Sequence, residues 1–139
     1  MHHTIIGKKR AIEQLQCISW PDMEAPKDTK TLLDLYEYTE ESLLDNPGTI
    51  LVHCSAGVGR TGTYIGLLKL IKDYQQKVSC SKNTHCTISR HEQVPELDPF
   101  ETVLAMRRQR VKMVQKPMQY HYMIKCLADF VVGETSDYV

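Results

Sequence analysis

The residues best suited to chemistry lie in one decapeptide, His53-Cys54-Ser55-Ala56-Gly57-Val58-Gly59-Arg60-Thr61-Gly62. A thiol stands near its start, an arginine follows after a Gly-rich turn, and Thr61-Gly62 closes it. Such a turn can aim several backbone N–H groups inward, and a helix beginning at its end adds the positive end of a dipole. An anion fits that cradle. The same field favours thiolate over thiol, which makes Cys54 a nucleophile at neutral pH. Lowering a thiol pKa from about 8.5 by roughly three units corresponds to ~4 kcal/mol of thiolate stabilisation. Loop amides, a helix end and Arg60 together can supply that sum. Arg60 carries a planar fork able to hold two oxygens of a bound oxyanion. A nucleotide P-loop is excluded, because that motif needs Gly-x4-Gly-Lys-Ser/Thr and no lysine follows either candidate glycine. The natural ligand of that geometry is a phosphate, and the natural chemistry is attack of sulfur on its phosphorus. The bland alternative is a buried structural cysteine beside a strand, with a surface arginine after a loop.

The elements that must position these residues can be read around them. Thr49-Ile50-Leu51-Val52 is a short apolar run rich in β-branched residues, and with His53 it predicts a strand over 49–53. A helix follows the loop to about Gln76. Upstream, Ile12 to Ser19 reads as a short strand, and Trp20-Pro21-Asp22-Met23-Glu24-Ala25-Pro26-Lys27-Asp28 as a turn-rich loop stiffened by two prolines. Asp28 caps a helix whose apolar stripe is Leu32, Leu35, Tyr36, Leu43 and Leu44, ended by Asn46-Pro47-Gly48. Residues 77–97 are polar and unpatterned and predict a mobile loop. Asp98-Pro99-Phe100-Glu101 is a strong helix start, with a cap, proline at the first position and an acid in the first turn. That helix runs to about Arg108. Pro117 opens the last one, with Tyr120, Met123, Leu127 and Phe130 on its apolar face and Gly133 as its stop. Residues 134–139 read as a disordered tail.

Composition narrows the setting. The chain has 139 residues, enough for one domain with a real core, and 17 basic side chains balance 17 acidic ones. That balance gives no sign of a nucleic-acid partner. No apolar run is long enough to insert in a membrane, and the N-terminal decapeptide lacks a signal-peptide core. A working thiolate needs a reducing compartment, so the expectation is cytoplasmic placement, including that of the intracellular part of a longer membrane-anchored protein. Cys80, His85, Cys86 and His91 lie close in sequence but match no zinc spacing, so neither a metal nor another cofactor is expected. Cys17 and Cys126 are expected in the core. Arg107, Arg108 and Arg110, beside Lys112, form a basic run read as structural support.

The decapeptide resembles the His-Cys-x5-Arg-Ser/Thr signature of the protein tyrosine phosphatases, matched at His53, Cys54, Arg60 and Thr61. Its full string is similar to that of the classical, phosphotyrosine-specific branch. Trp20-Pro21-Asp22 resembles that family's mobile WPD loop, which implies Asp22 as the general acid and Trp20 as a packing hinge. Gln115 and Gln119 fall on the two glutamines of the family's glutamine loop, Gln-Thr-x-x-Gln-Tyr, with Gln115 the positioner of the hydrolytic water and Gln119 beside the substrate. Lys116-Pro117 departs from that pattern. The resemblance implies that Ser55, Ala56, Gly57, Val58 and Gly59 cradle phosphate with Arg60. It implies that Thr61 eases departure of the thiolate and that His53 orients the loop through hydrogen bonds.

As a whole, the resemblance implies an α/β fold, a phosphatase-like central sheet truncated to few strands with helices packed after the phosphate-binding loop. It spans Ile12 to Phe130, which corresponds to the C-terminal half of the family's catalytic domain, read as one partial domain over 1–139. The family's Lys-Asn-Arg-Tyr segment, which recognises phosphotyrosine, has no counterpart here. The expected activity is hydrolysis of phosphotyrosine on proteins through a phosphocysteine intermediate. The alternative is a truncated, weak or inactive fragment that binds phosphotyrosine or a partner.

Overall fold

The computed structural model describes residues 11–83 and 96–136. Four helices occupy most of this length: α1 (Lys30–Asp45), α2 (Gly59–Asn83), α3 (Pro99–Gln109) and α4 (Pro117–Ser136).

Two of the helices begin where a side chain satisfies a free N–H group. At α1, the Asp28 carboxylate accepts from the Thr31 N–H and hydroxyl, both at 3.1 Å, one residue before the Thr29 cap position. At α3, the Asp98 carboxylate accepts from the Glu101 N–H at 2.9 Å with Pro99 at the first position, as the sequence predicts. Two boundaries differ from expectation. α2 continues to Asn83, so the start of the expected 77–97 loop is helical, while residues 84–95 lie outside the described ones. α4 runs through Gly133 to Ser136, because Gly133 does not take the left-handed conformation that makes glycine a stop. Of the expected tail, 134–136 are therefore helical and 137–139 lie outside the described residues.

The core is built around α2, which packs against α4 and α3, while α1 packs on α4. Leu67, Leu70 and Ile71 of α2 meet Met123 and Cys126 of α4, Val103 and Met106 of α3 and Leu32 of α1, all buried. Burying each large aliphatic side chain contributes about 1.5–3 kcal/mol, so this cluster holds the helices in one arrangement. Edge-on contacts of Phe130 with Tyr36 at 5.6 Å and Tyr74 at 6.3 Å extend it. Between α1 and α2, the Thr39 and Tyr64 hydroxyls hydrogen-bond at 2.6 Å, and Tyr64 donates to the Leu35 carbonyl at 3.1 Å. The expected stripe on α1 holds except at Leu44, which is exposed.

The expected sheet is the main correction. No strand forms among the described residues, and neither 12–19 nor 49–53 has regular structure. A strand exists only through hydrogen bonds to a neighbour, and neither segment has one among the described residues. Ile12, Ile18 and Leu51, which would face a sheet's covering layer, are exposed. The described part is helical.

Candidate active site

Ser55 to Val58 bend directly into the N-terminus of α2, which places Cys54 before the helix and Arg60 in its first turn. Gly57 makes the turn, with φ 68, and its N–H donates to the Cys54 sulfur at 3.2 Å. A Cβ at Gly62 would stand 2.4 Å from the Val114 nitrogen, so glycine there lets the loop before α4 lie against α2. That approach is closed by two hydrogen bonds to one carbonyl: Val58 O accepts from Gly62 N at 3.2 Å and from Val114 N at 3.0 Å.

Partial burial of Cys54 works against its ionisation, but other groups outweigh it. The Thr61 hydroxyl and N–H, then the Gly57 and Val58 N–H groups, lower the thiol from 9.0 to about 7. The Thr61 hydroxyl is buried and makes no hydrogen bond of normal geometry, so its effect on the sulfur is that of a nearby dipole. Cys126 shows the opposite balance: burial in the core pushes its thiol up to about 11. Cys17 is half-buried against the same core.

Arg60 joins three parts of the chain. Its Nη1 donates to the Trp20 carbonyl at 3.0 Å, and its Nη2 donates to Ser55 Oγ at 3.1 Å and pairs with Asp22 at 3.2 Å. Ser55 Oγ in turn donates to Asp22 Oδ2 at 3.1 Å. The loop carrying Asp22 is held from behind. Trp20 is buried, donates from its indole N–H to the Glu24 carbonyl at 2.8 Å and stacks edge-on against Tyr122 at 5.8 Å. Tyr122 OH donates to the Asp28 carbonyl at 2.8 Å. Asp22 itself is 62% exposed at the side chain, so its pair with Arg60 adds little to stability.

The two glutamines separate in role. Gln119 is fully buried; its amide accepts from Lys116 N at 3.1 Å and donates to the Glu24 carbonyl at 3.4 Å. Each end has a partner, so Gln119 ties the loop carrying Glu24 to the start of α4. Gln115 makes no hydrogen bond among the described residues, and its Oε1 lies 3.4 Å from where a Cβ on Gly59 would stand. Gln115 also borders an open cleft of about 400 Å³ between α3 and α4 that includes neither Cys54 nor Arg60.

His53 is exposed, lies outside regular structure and makes no hydrogen bond among the described residues. The bracing of the loop falls to Arg110, whose Nη2 donates to the Ala56 carbonyl at 3.2 Å and would meet a Cβ on Gly57 at 3.2 Å. The basic run marked Arg110 as support, but nothing in its spacing showed that it reaches the loop of Ala56 and Gly57. The side chains of Cys80, His85, Cys86 and His91 lie outside the described residues.

Comparison with known proteins follows the same lines. The profile of the protein-tyrosine phosphatase family matches residues 2–129, and the chain belongs to that family. It is similar to receptor-type tyrosine-protein phosphatase V of Rattus norvegicus, 34% identical over 139 residues that make up 99% of this chain and 7% of the relative. It is also similar to tyrosine-protein phosphatase non-receptor type 9 of Homo sapiens, 31% identical over 147 residues, 96% of this chain and 22% of the relative. Receptor-type tyrosine-protein phosphatase C of Homo sapiens is 34% identical over 137 residues, 94% of this chain and 9% of the relative. The chain thus spans less than a quarter of the length of these relatives. Among its described residues no helix is long and apolar enough to cross a membrane.

Proposed function

We propose that this chain carries the catalytic centre of a protein tyrosine phosphatase, which hydrolyses phosphotyrosine on proteins through a phosphocysteine intermediate. The observation that carries the reading is a thiol lowered to about 7 in an amide-lined loop that also presents Arg60 and meets the Asp22 loop. In the first step the Cys54 thiolate attacks phosphorus. A sulfur–phosphorus bond forms, the bond from phosphorus to the tyrosyl oxygen breaks, and Asp22 gives that oxygen its proton. Arg60 and the N–H groups of 55–59 hold the equatorial oxygens as charge spreads over them. In the second step a water placed by Gln115 attacks phosphorus and gives a proton to the Asp22 carboxylate. The sulfur–phosphorus bond breaks, its electron pair returns to Cys54 beside Thr61, and orthophosphate leaves. Asp22 and phosphate use the same guanidinium, so substrate entry displaces the carboxylate from Arg60 toward the leaving oxygen. A reduced thiolate of this kind suits the cytoplasm.

Turnover of an aryl phosphate and of a phosphotyrosyl peptide tests this directly. Cys54→Ser is expected to abolish both, and residual activity in that variant removes Cys54 as the nucleophile. Asp22→Ala is expected to slow the peptide by about 100-fold or more. An aryl ester whose phenol is already acidic should lose far less, and equal losses count against the acid role. A second reading, binding of phosphotyrosine without turnover, draws on the exposed Ile18 and Leu51 and the unformed strands. Tight phosphopeptide binding by a wild-type chain that releases no phosphate would favour it.

A further inference from the structure

We infer that Arg107 is a positioning residue for Gln115, acting by clamping Val114 in a left-handed backbone turn; the inference rests on the proposed water-placing role of Gln115. Val114 has φ 56. A β-branched residue rarely enters that region, because its Cβ crowds the following carbonyl. Such a conformation persists only where the surroundings over-determine it. Here they do so from both sides of the residue. Its N–H donates to Val58 O at 3.0 Å, and its carbonyl accepts from Arg107 Nη2 at 2.8 Å. The carbonyl just before it, on Met113, accepts from Arg107 Nε at 2.9 Å. Nε and one Nη point the same way from the rigid guanidinium plane, so the fork reads two carbonyls that face one direction. Consecutive carbonyls are co-oriented in a helical turn of either hand and opposed in an extended chain. The fork therefore excludes an extended Val114, and the hand of the turn is left to its N–H bond to Val58 O and its buried side chain. The side chain of Val114 is buried at 1% exposure, which removes a third freedom.

Gln115 is the next residue. Its amide makes no hydrogen bond of its own among the described residues, yet it stands against Gly59 at the start of α2. Its aim is inherited from the backbone before it. Arg107 forms no ion pair among the described residues, and the polar contacts it does make are these two carbonyls. Without the clamp, Val114 can relax to an ordinary φ, and that rotation swings Gln115 away from the phosphate-holding loop. The Cys54 attack would be spared, because its cradle keeps the bonds that do not involve Val114: Gly62 N to Val58 O and Arg110 Nη2 to Ala56 O.

The test separates the two chemical steps. With an activated aryl phosphate, rapid mixing reads phenol release as a first-turnover burst followed by a steady rate. Arg107→Met should keep the burst rate within about threefold and lower the steady rate about 10- to 100-fold, a loss typical of a misplaced group. Acid quenching should then trap phosphorylated Cys54. Arg107→Lys, a point cation without the rigid two-nitrogen fork, should fall between. Gln115→Ala should reproduce the Arg107→Met pattern, and the double variant should be no slower than Gln115→Ala alone. Burst and steady rate falling together, no change in either, or additive losses in the double variant would each overturn the inference. Should the wild-type chain release no phenol, the catalytic reading fails by itself, and hydrogen exchange still decides the clamp. Arg107→Met, or Arg107→Lys if the first does not fold, should speed exchange at the Val114 amide about tenfold or more while α2 core amides stay protected. Unchanged Val114 exchange would reject the clamp.

Discussion

The proposed chemistry rests on one thiol whose environment works in two directions. Burial opposes its ionisation, and the Thr61 hydroxyl and the loop N–H groups more than offset that, which brings it to about 7. Thr61→Val keeps the shape and the backbone N–H while deleting the hydroxyl, the largest lowering influence. The thiol should then titrate higher, toward its ordinary 9.0. Because attack needs thiolate, the loss in kcat/KM should be greatest below pH 7 and fade as pH rises. Carboxamidomethylation of Cys54, followed peptide by peptide, should show the same upward shift of its midpoint; an unmoved midpoint would assign the lowering to the amides alone. Cys126 provides an internal reference, since burial pushes its thiol to about 11 and it should stay unlabelled until the chain unfolds. The sign of the linked stability follows from the same shift. Cys54 titrates lower when folded, so its ionisation contributes stability fully above pH 9.0 and loses it as pH falls through about 7.

Among the elements, the helices were legible because their signals are local. Asp98-Pro99 and the glutamine-to-Tyr120 segment carry their own caps and periodicity, and the structure starts α3 and α4 there. The loops between helices were legible only as candidates, because their geometry depends on contacts distant in sequence. Val114 is the clearest case, since no residue type advertises a valine at φ 56. A left-handed valine costs about 1–2 kcal/mol relative to an ordinary conformation. That strain yields an unusual ordering of variants. Val114→Ala and Val114→Gly both lose the buried side chain, and glycine normally stands 0.5–1 kcal/mol below alanine within a regular element. At Val114 the glycine variant escapes the strain, so it should match or exceed the alanine variant by up to ~1 kcal/mol. Urea unfolding of both measures the difference. A glycine variant clearly weaker than alanine would mean that Val114 is not strained in solution.

At the scale of the molecule, the site hangs from its helical side. Cys54 is placed through Gly57, Val58 and α2, and Asp22 through Trp20, Tyr122 and Arg60, whereas 12–19 and 49–53 lead into these loops as unpaired chain. Strands are absent among the described residues for a physical reason: β-branched and alternating residues state a preference, and a strand also needs a partner to receive its hydrogen bonds. Their apolar side chains are left outside, with Ile18 at 87% and Leu51 at 86% exposure. Side chains so exposed contribute little to folding, typically within ±0.5 kcal/mol on substitution, but they offer adhesive surface to other chains. Ile18→Lys combined with Leu51→Lys should therefore leave the urea midpoint and the Cys54 labelling midpoint unchanged. The same pair should reduce concentration-dependent association in sedimentation velocity, since two added charges repel at those positions. A large fall in the urea midpoint would show instead that Ile18 and Leu51 are buried in solution, and that the strands form there.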